Sequence, residues 1–349
     1  MTNLPSLMPT EDFWARQASR QISSFDLRPF GIPARITANK PEVLAAARLS
    51  AGRFSSCSAS RGQSGPWQAA ELAGQPIQMQ VVVGQEAGGP APADLPEQLK
   101  YAGVGEWITL SAGAWGHGFA NLATYTALIF LSSELAAETR LVSRYFIDHY
   151  LLNFILTEWA MLHASGVLDP QRQRLIMLVA PHNAGKSTTA LHLLRAGYLF
   201  LADGMVLLRP QGTGFLVGGY PIGEVKLRAD VLTWFPEYEG EAVTVREQRK
   251  TVVNLRAAHP HQLAETLFSP SAIQICFIER DPTSLSQVTP LSPAEAGPIL
   301  AANTVYWNEA PQLVHNTTTL HALLQSASLY RLKLGTDVAE MMATVAELT

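Results

Sequence analysis

One segment constrains this chain more than any other: residues 175–197, LIMLVAPHNAGKSTTALHLLRAG. Its opening apolar run predicts a buried strand over Leu175–Val179, and Lys186–Ala196 predicts a helix that Gly197 ends. Tyr198–Ala202 predicts the next strand. Strand, loop, helix, strand in that order is a βαβ unit, which normally lays parallel strands side by side and implies an α/β domain. The loop itself, Ala180-Pro181-His182-Asn183-Ala184-Gly185-Lys186-Ser187, fits the phosphate-binding pattern, with alanine in a first position where glycine is commoner.

The pattern carries a mechanism. Successive backbone N–H groups of such a loop cradle phosphate oxygens, and the following helix directs its partial positive charge at them. Lys186 would reach the β- and γ-phosphates of a nucleoside triphosphate, Ser187 would join the shell of a magnesium ion, and Thr188 sits one residue further along the same turn. The competing reading is a glycine-containing strand–helix turn that binds nothing. It is disfavoured because the chain has six lysines in 349 residues, one of them at this position. A methyl at Ala180 costs something only where the backbone needs a positive φ.

A nucleotide site of this kind needs a carboxylate at the end of a neighbouring strand, and Leu199-Phe200-Leu201-Ala202-Asp203 provides one 17 residues after the lysine. That spacing makes the strand after the helix the carboxylate carrier. Asp203-Gly204 is also a common turn dipeptide, so a turn without further role is the alternative.

Composition narrows the function classes. With 25 Lys+Arg against 29 Asp+Glu the formal net charge is −4, which lacks the basic excess of a general nucleic-acid binder. The two cysteines, Cys57 and Cys276, are far apart and form no CxxC pair, which argues against a disulfide framework or a thiolate zinc site. No basic segment followed by an apolar one opens the sequence. The longest stretch without Asp, Glu, Lys or Arg, Trp107–Ser133, is too polar and glycine-rich to span a membrane. The expectation is a cytoplasmic protein without a nucleic-acid or membrane partner.

Along the chain, Glu42–Leu49 predicts a short helix, Pro76–Gly84 a strand, Ser55–Gln75 a loop, and residues 85–97 a linker or surface loop. Trp107–Ser111 and Tyr125–Leu131 predict strands around a glycine-rich turn. The three-, four- and seven-residue steps of Leu141, Tyr145, Leu152, Ile155, Trp159 and Leu162 predict a helix over Thr139–Leu162. Further strands are expected at Ala164–Leu168, Met205–Leu208, Phe215–Val217 and Ile273–Glu279, and closing helices at Thr318–Ser326 and Val338–Leu348.

Several stretches together carry a family resemblance: His163-Ala-Ser-Gly-Val167, Ala180–Thr188, Arg195-Ala-Gly197, Leu201-Ala-Asp203, and Tyr220-Pro221 with Lys226-Leu-Arg228. Cys276–Arg280, Leu291–Glu295 and Tyr330–Leu334 match more loosely. On these residues the chain resembles the HPr kinase/phosphorylase family, and within it the HPr-kinase-like proteins outside sugar regulation. The likeness covers about residues 125–349. It implies an α/β phosphate-loop kinase domain of HPr-kinase/PEP-carboxykinase-like type with a mixed sheet over 106–349, and leaves the first hundred residues unexplained; a smaller accessory α+β region over 1–105, with partner selection as its role, is the separate expectation there.

The resemblance also implies a phosphotransferase that uses ATP and magnesium to phosphorylate a hydroxyl, in the family a protein serine. It makes Lys186 the phosphate ligand, Ser187 and Asp203 the metal ligands, Asp203 the catalytic base, and His163 a residue beside the phosphates. Relatives often form oligomers. His163 equally suits a core histidine bonded to backbone, and Lys226 and Arg228 suit a solvated strand face. Arg246–Lys250 lies where relatives supply a transition-state arginine, and also reads as a surface loop.

The chain departs from HPr kinases proper. They carry two consecutive aspartates where it has Asp203-Gly204, its loop helix opens Ser187-Thr188, and His182 and Asn183 are unusual. These departures argue against HPr as acceptor. They leave any phosphorylase activity open, and Gly204 fits one alternative, a nucleotide-binding regulatory protein without catalysis; the resemblance to the PEP-carboxykinase fold implies another, a kinase of a small-molecule hydroxyl.

Overall fold

The computed structural model describes residues 22–54, 75–84, 87–92, 94–245, 248–264, 267–281, 283–305 and 309–348. The loop expected over Ser55–Gln75 falls almost wholly outside them. The chain divides into two compact units, Met1–Ala51 with Ala73–Phe154, and Gly52–Leu72 with Ile155–Thr349.

The first unit is built on a seven-stranded mixed sheet. Its strands are β1 (Ser23–Leu27), β2 (Ala34–Ala38), β3 (Ile77–Val83), β4 (Lys100–Val104), β5 (Trp107–Ser111), β6 (Gly116–Asn121) and β7 (Thr126–Leu131), in the order β1-β2-β3-β7-β6-β5-β4. The period of two in Ala34, Ile36 and Ala38 and in Ile77, Met79 and Val81 buries one face. Helix α1 (Pro41–Phe54) buries Val43, Ala46 and Ala47, and contains the predicted Glu42–Leu49 helix.

Two expectations are corrected here, the domain boundary and the glycine-rich turn. A boundary at 105/106 would cut the antiparallel hairpin of β4 and β5, so the first unit runs well past it. The segment at 85–97 joins β3 to β4 within one sheet, the surface-loop alternative of that expectation, and runs into a helical turn at Leu95–Gln98. The glycine-rich turn contains β6, because the glycines serve close packing rather than chain reversal. A Cβ on Gly116 would lie 2.8 Å from the Phe130 carbonyl oxygen, and one on Gly118 2.6 Å from the Tyr150 hydroxyl.

The helix expected over Thr139–Leu162 is interrupted and shorter. A single helical turn at Thr139–Leu141 leads into a π-helical stretch, Val142–Ile147, then α2 (Asp148–Ile155), and Ala160–Leu162 is already strand β8. An apolar run buried on all sides carries no periodic mark where helix gives way to strand.

In the second unit a six-stranded mixed sheet holds β9 (Ala164–Asp169), β10 (Arg174–Val179), β11 (Leu199–Asp203), β17 (Ala272–Arg280), β18 (Gln287–Pro290) and β20 (Ser328–Leu334), in the order β11-β9-β10-β17-β20-β18. Strands β10, β17 and β20 are parallel, whereas β9 runs antiparallel to both β10 and β11. Helix α3 (Lys186–Arg195) connects β10 to β11. These two strands therefore share a direction but are not neighbours, because β9 lies between them.

Side chains of β10 alternate between two buried faces. Ile176 and Leu178 meet Leu191 and Leu194 of α3. Leu175, Met177 and Val179 meet Leu300 of α4 (Pro293–Ala302) and Leu323 of α5 (Glu309–Ser326). Burial on both faces accounts for the unbroken apolar run in the sequence.

Strands β12 (Met205–Gln211), β13 (Gly214–Tyr220) and β19 (Thr304–Val305) join β8 in a second sheet, ordered β13-β12-β8-β19. Strands β14 (Glu224–Arg228), β15 (Gly240–Val245) and β16 (Gln248–Asn254) form a third, ordered β14-β16-β15. Helix α6 (Val338–Ala346) packs Met341 and Val345 into the core beside α3. The protein is thus a mixed α/β structure with multi-stranded mixed sheets. Among the described residues no helix is long and apolar enough to cross a membrane.

Candidate functional site

The loop Ala180–Gly185 runs from the end of β10 to the first turn of α3, so the orphan N–H groups of that helix face the loop. The first helical acceptor is the Gly185 carbonyl, which takes the Thr189 N–H at 2.9 Å, leaving the N–H groups of Lys186, Ser187 and Thr188 at the helix mouth. Left-handed backbone occurs at Asn183 (φ 65°) and Gly185 (φ 102°) but not at Ala180. Asparagine and glycine are the residues that tolerate it, and the methyl of Ala180 is buried in the core at no conformational cost.

Lys186 is buried, and its Nζ donates to the carbonyl oxygens of Ala180 at 2.7 Å and Pro181 at 3.1 Å. The ammonium thus folds back across its own loop. Burial lowers the Lys186 pKa, against the opposing charge of Asp203 and with the help of Lys250.

Asp203 ends β11, and its backbone pairs with Ser165 of β9. The carboxylate accepts from two hydroxyls: Ser165 Oγ donates to Oδ1 at 2.5 Å, and Ser187 Oγ lies 2.9 Å from both Oδ1 and Oδ2. Burial raises the Asp203 pKa; the two hydroxyls, Lys186 and Lys250 work against that rise.

His163 lies at the junction of β8 and β9, its N–H donating to the Asn303 carbonyl at 2.7 Å. Its ring is 4.9 Å from that of His182, which brings it against the exposed side of the loop. Pro181 is also exposed, while Ala184, Ser187 and Thr188 are half-buried.

The structure therefore brings Lys186, Ser187 and Asp203 together and sets His163 beside His182. On β14, Lys226 and Arg228 share the half-exposed face, with Val225 and Leu227 on the buried one. Arg228 is paired with Asp230 through its Nε at 2.9 Å. Of the basic run, residues 246 and 247 lie outside the described residues; Lys250 stands opposite Arg228 in the sheet, and its charge acts on both Asp203 and Lys186.

Two residues escaped the sequence reading of the site: Ser165, inside a stretch singled out for His163, and Lys250, read only as part of a run. For Ser165 the available signal was the alternation His163, Ser165, Val167 beside a strand-end carboxylate.

The chain matches no protein-family model, and no curated protein matches it. Among solved structures it is similar to the HPr(Ser) kinase/phosphatase from Coxiella burnetii, with 7% identity over 53% of this chain and 91% of that one. The TM-score is 0.28, a distant structural relationship only.

The donors at this site suit magnesium. Ser187 and Asp203 offer adjacent hard oxygen atoms, and no group of three or more His, Cys, Asp or Glu among the described residues could cage a metal. Magnesium is commonly held by one or two protein oxygens together with nucleotide phosphates and water.

Proposed function

We propose that this chain is an ATP- and magnesium-dependent phosphotransferase acting on a hydroxyl, in the first instance a serine of a protein or peptide. One observation carries the reading: the hydroxyl that opens helix α3, Ser187, lies within hydrogen-bonding distance of both oxygens of the carboxylate that ends β11, Asp203. A phosphate-loop sequence and a strand-end carboxylate meet at one point. The sequence resemblance to HPr-kinase-like proteins supports the same reading.

In this mechanism the N–H groups of residues 186–188 and the α3 dipole hold the phosphates. Lys186 exchanges the Ala180 and Pro181 carbonyls for β- and γ-phosphate oxygens. Ser187 and Asp203 would hold magnesium, which when bound neutralises charge on those phosphates. The acceptor oxygen bonds to the γ-phosphorus as the bond to the β–γ bridging oxygen breaks, and ADP leaves. The acceptor's proton passes to Asp203, whose burial makes it a stronger proton acceptor than an exposed carboxylate. His163 and His182 line the loop's outer side, where the acceptor approaches.

The purified chain, incubated with γ-labelled ATP, magnesium and fractionated source lysate, should label an acceptor, and Asp203→Asn should not. Nucleotide binding without transfer or hydrolysis for any fraction would favour the regulatory alternative, to which Gly204 in place of a second aspartate points. Label recovered only in metabolites would make the acceptor a small molecule.

A further inference from the structure

We propose that Ser165 is a positioning residue that fixes the Asp203 carboxylate for the divalent cation bound with the nucleotide. The inference rests on the reading of Ser187 and Asp203 as that cation's holders. Ser165 is fully buried on β9, and the antiparallel pairing sets it directly across from Asp203. A serine hydroxyl has one hydrogen to give. Ser165 gives it to Oδ1 at 2.5 Å, the shortest contact the carboxylate makes.

Oδ2, by contrast, has Ser187 as its sole hydrogen-bond donor among the described residues. Both carboxylate oxygens therefore face Ser187 at the helix mouth, but Oδ1 is tied to the sheet as well and Oδ2 is not. With Ser165 holding Oδ1, rotation about the Asp203 side chain is restricted, and Oδ2 stays aimed at the place where the Ser187 oxygen offers its lone pairs. Partners of this kind, one shell out from a metal, commonly change metal affinity by about 10–100-fold when removed. Among the described residues the Ser165 hydroxyl bonds directly to Asp203 and not to the loop N–H groups or to Lys186. Its removal should weaken the cation's contribution and leave the phosphate cradle as it is.

The test uses the full chain with ADP, alone and with manganese, by isothermal titration, with the manganese electron paramagnetic resonance spectrum as a second readout. In wild type, manganese should tighten ADP binding. In Ser165→Ala that tightening should fall about tenfold or more, the bound-manganese spectrum should change, and affinity for ADP alone should stay within about twofold. Ser165→Cys, close in volume and a weak donor, should show the same loss and covers the case of an Ala variant that does not fold.

The inference is overturned if manganese still tightens binding to within about twofold of wild type in both variants. It is equally overturned if affinity for metal-free ADP falls in parallel, since Ser165 would then only support the fold. Asp203→Asn separates the two layers. If it behaves as wild type toward manganese, the cation assignment beneath the inference fails; if it loses the tightening while the Ser165 variants keep it, the role of Ser165 alone fails.

Discussion

Ser187 Oγ lies 2.9 Å from each carboxylate oxygen of Asp203, linking the first turn of α3 to the end of β11 across 16 residues of sequence. The contact joins the loop Ala180–Gly185, through the helix it opens, to the strand-end carboxylate.

Asp203→Asn retains the shape of the side chain and removes its capacity to take a proton. Phosphoryl transfer should fall by about 10²–10⁴, the range of general-base contributions, while affinity for metal-free nucleotide stays close to wild type. Single-turnover transfer from labelled ATP, beside a binding isotherm, separates the effects. A parallel loss of both would mean that Asp203 organises the loop instead of accepting the proton.

Lys186→Ala removes the ammonium that donates to Ala180 and Pro181. A hydrogen bond to a charged group contributes about 1.5–3 kcal/mol, and 1.4 kcal/mol is a factor of ten in affinity, so ATP binding should weaken about tenfold or more. Titration with ATP checks this, and unchanged affinity would remove the loop from the nucleotide site. The variant leaves open whether the protein transfers phosphate, because a non-catalytic nucleotide binder would lose affinity in the same way.

The central strand–loop–helix–strand of the site was legible in sequence because each part carries its own local signal. A two-face apolar run marks β10, Gly185 and Asn183 supply the left-handed turn, and Gly197 (φ +95°) ends the helix. What was not legible depends on pairing between distant residues. Ser165 and Asp203 are 38 positions apart and meet only because β9 inserts between β10 and β11, against the usual side-by-side placement. Lys250 acts on the site from β16, a strand that no local motif connects to the loop. Strand β6 was hidden for the opposite reason: Gly116 and Gly118 read as turn residues, and only the packing of Phe130 and Tyr150 shows why a side chain is excluded.

Gly204 follows the strand-end carboxylate directly, and its backbone limits what can replace it. Its φ is +143°, a region that L-residues rarely adopt, while the space around an added Cβ is ordinary, with the Tyr220 carbonyl oxygen 3.9 Å away. The cost of substitution is therefore conformational. Gly204→Ala should destabilise by about 1–3 kcal/mol in urea unfolding, and Gly204→Asp by a similar amount. On the proposed function, an aspartate placed here should not by itself raise phosphoryl transfer. An Asp variant as stable as wild type would show that the backbone relaxes here without strain.

The first unit carries its own pH signature. His149 is buried, with its ring 4.6 Å from that of Tyr101 and 5.2 Å from that of Tyr150, and burial lowers its pKa from 6.5 to about 3. In the unfolded chain the same imidazole binds a proton near pH 6.5. Between these values the unfolded state holds more protons than the folded one, so stability rises with pH through this window and levels off above it. Read downward, the penalty is absent at pH 7.5 and grows as pH falls below about 6.5, by at most about 1.4 kcal/mol per pH unit. Replacing the ring with a group that does not titrate, as in His149→Gln, removes that slope while costing some packing at every pH. The difference in unfolding free energy between wild type and variant should therefore move against the wild type by up to about 2 kcal/mol between pH 6.5 and pH 5. Urea unfolding of both proteins at those two pH values measures it, and carboxylates common to both cancel in the comparison. A difference that stays constant would mean that His149 takes up its proton in the folded protein as readily as in the unfolded chain.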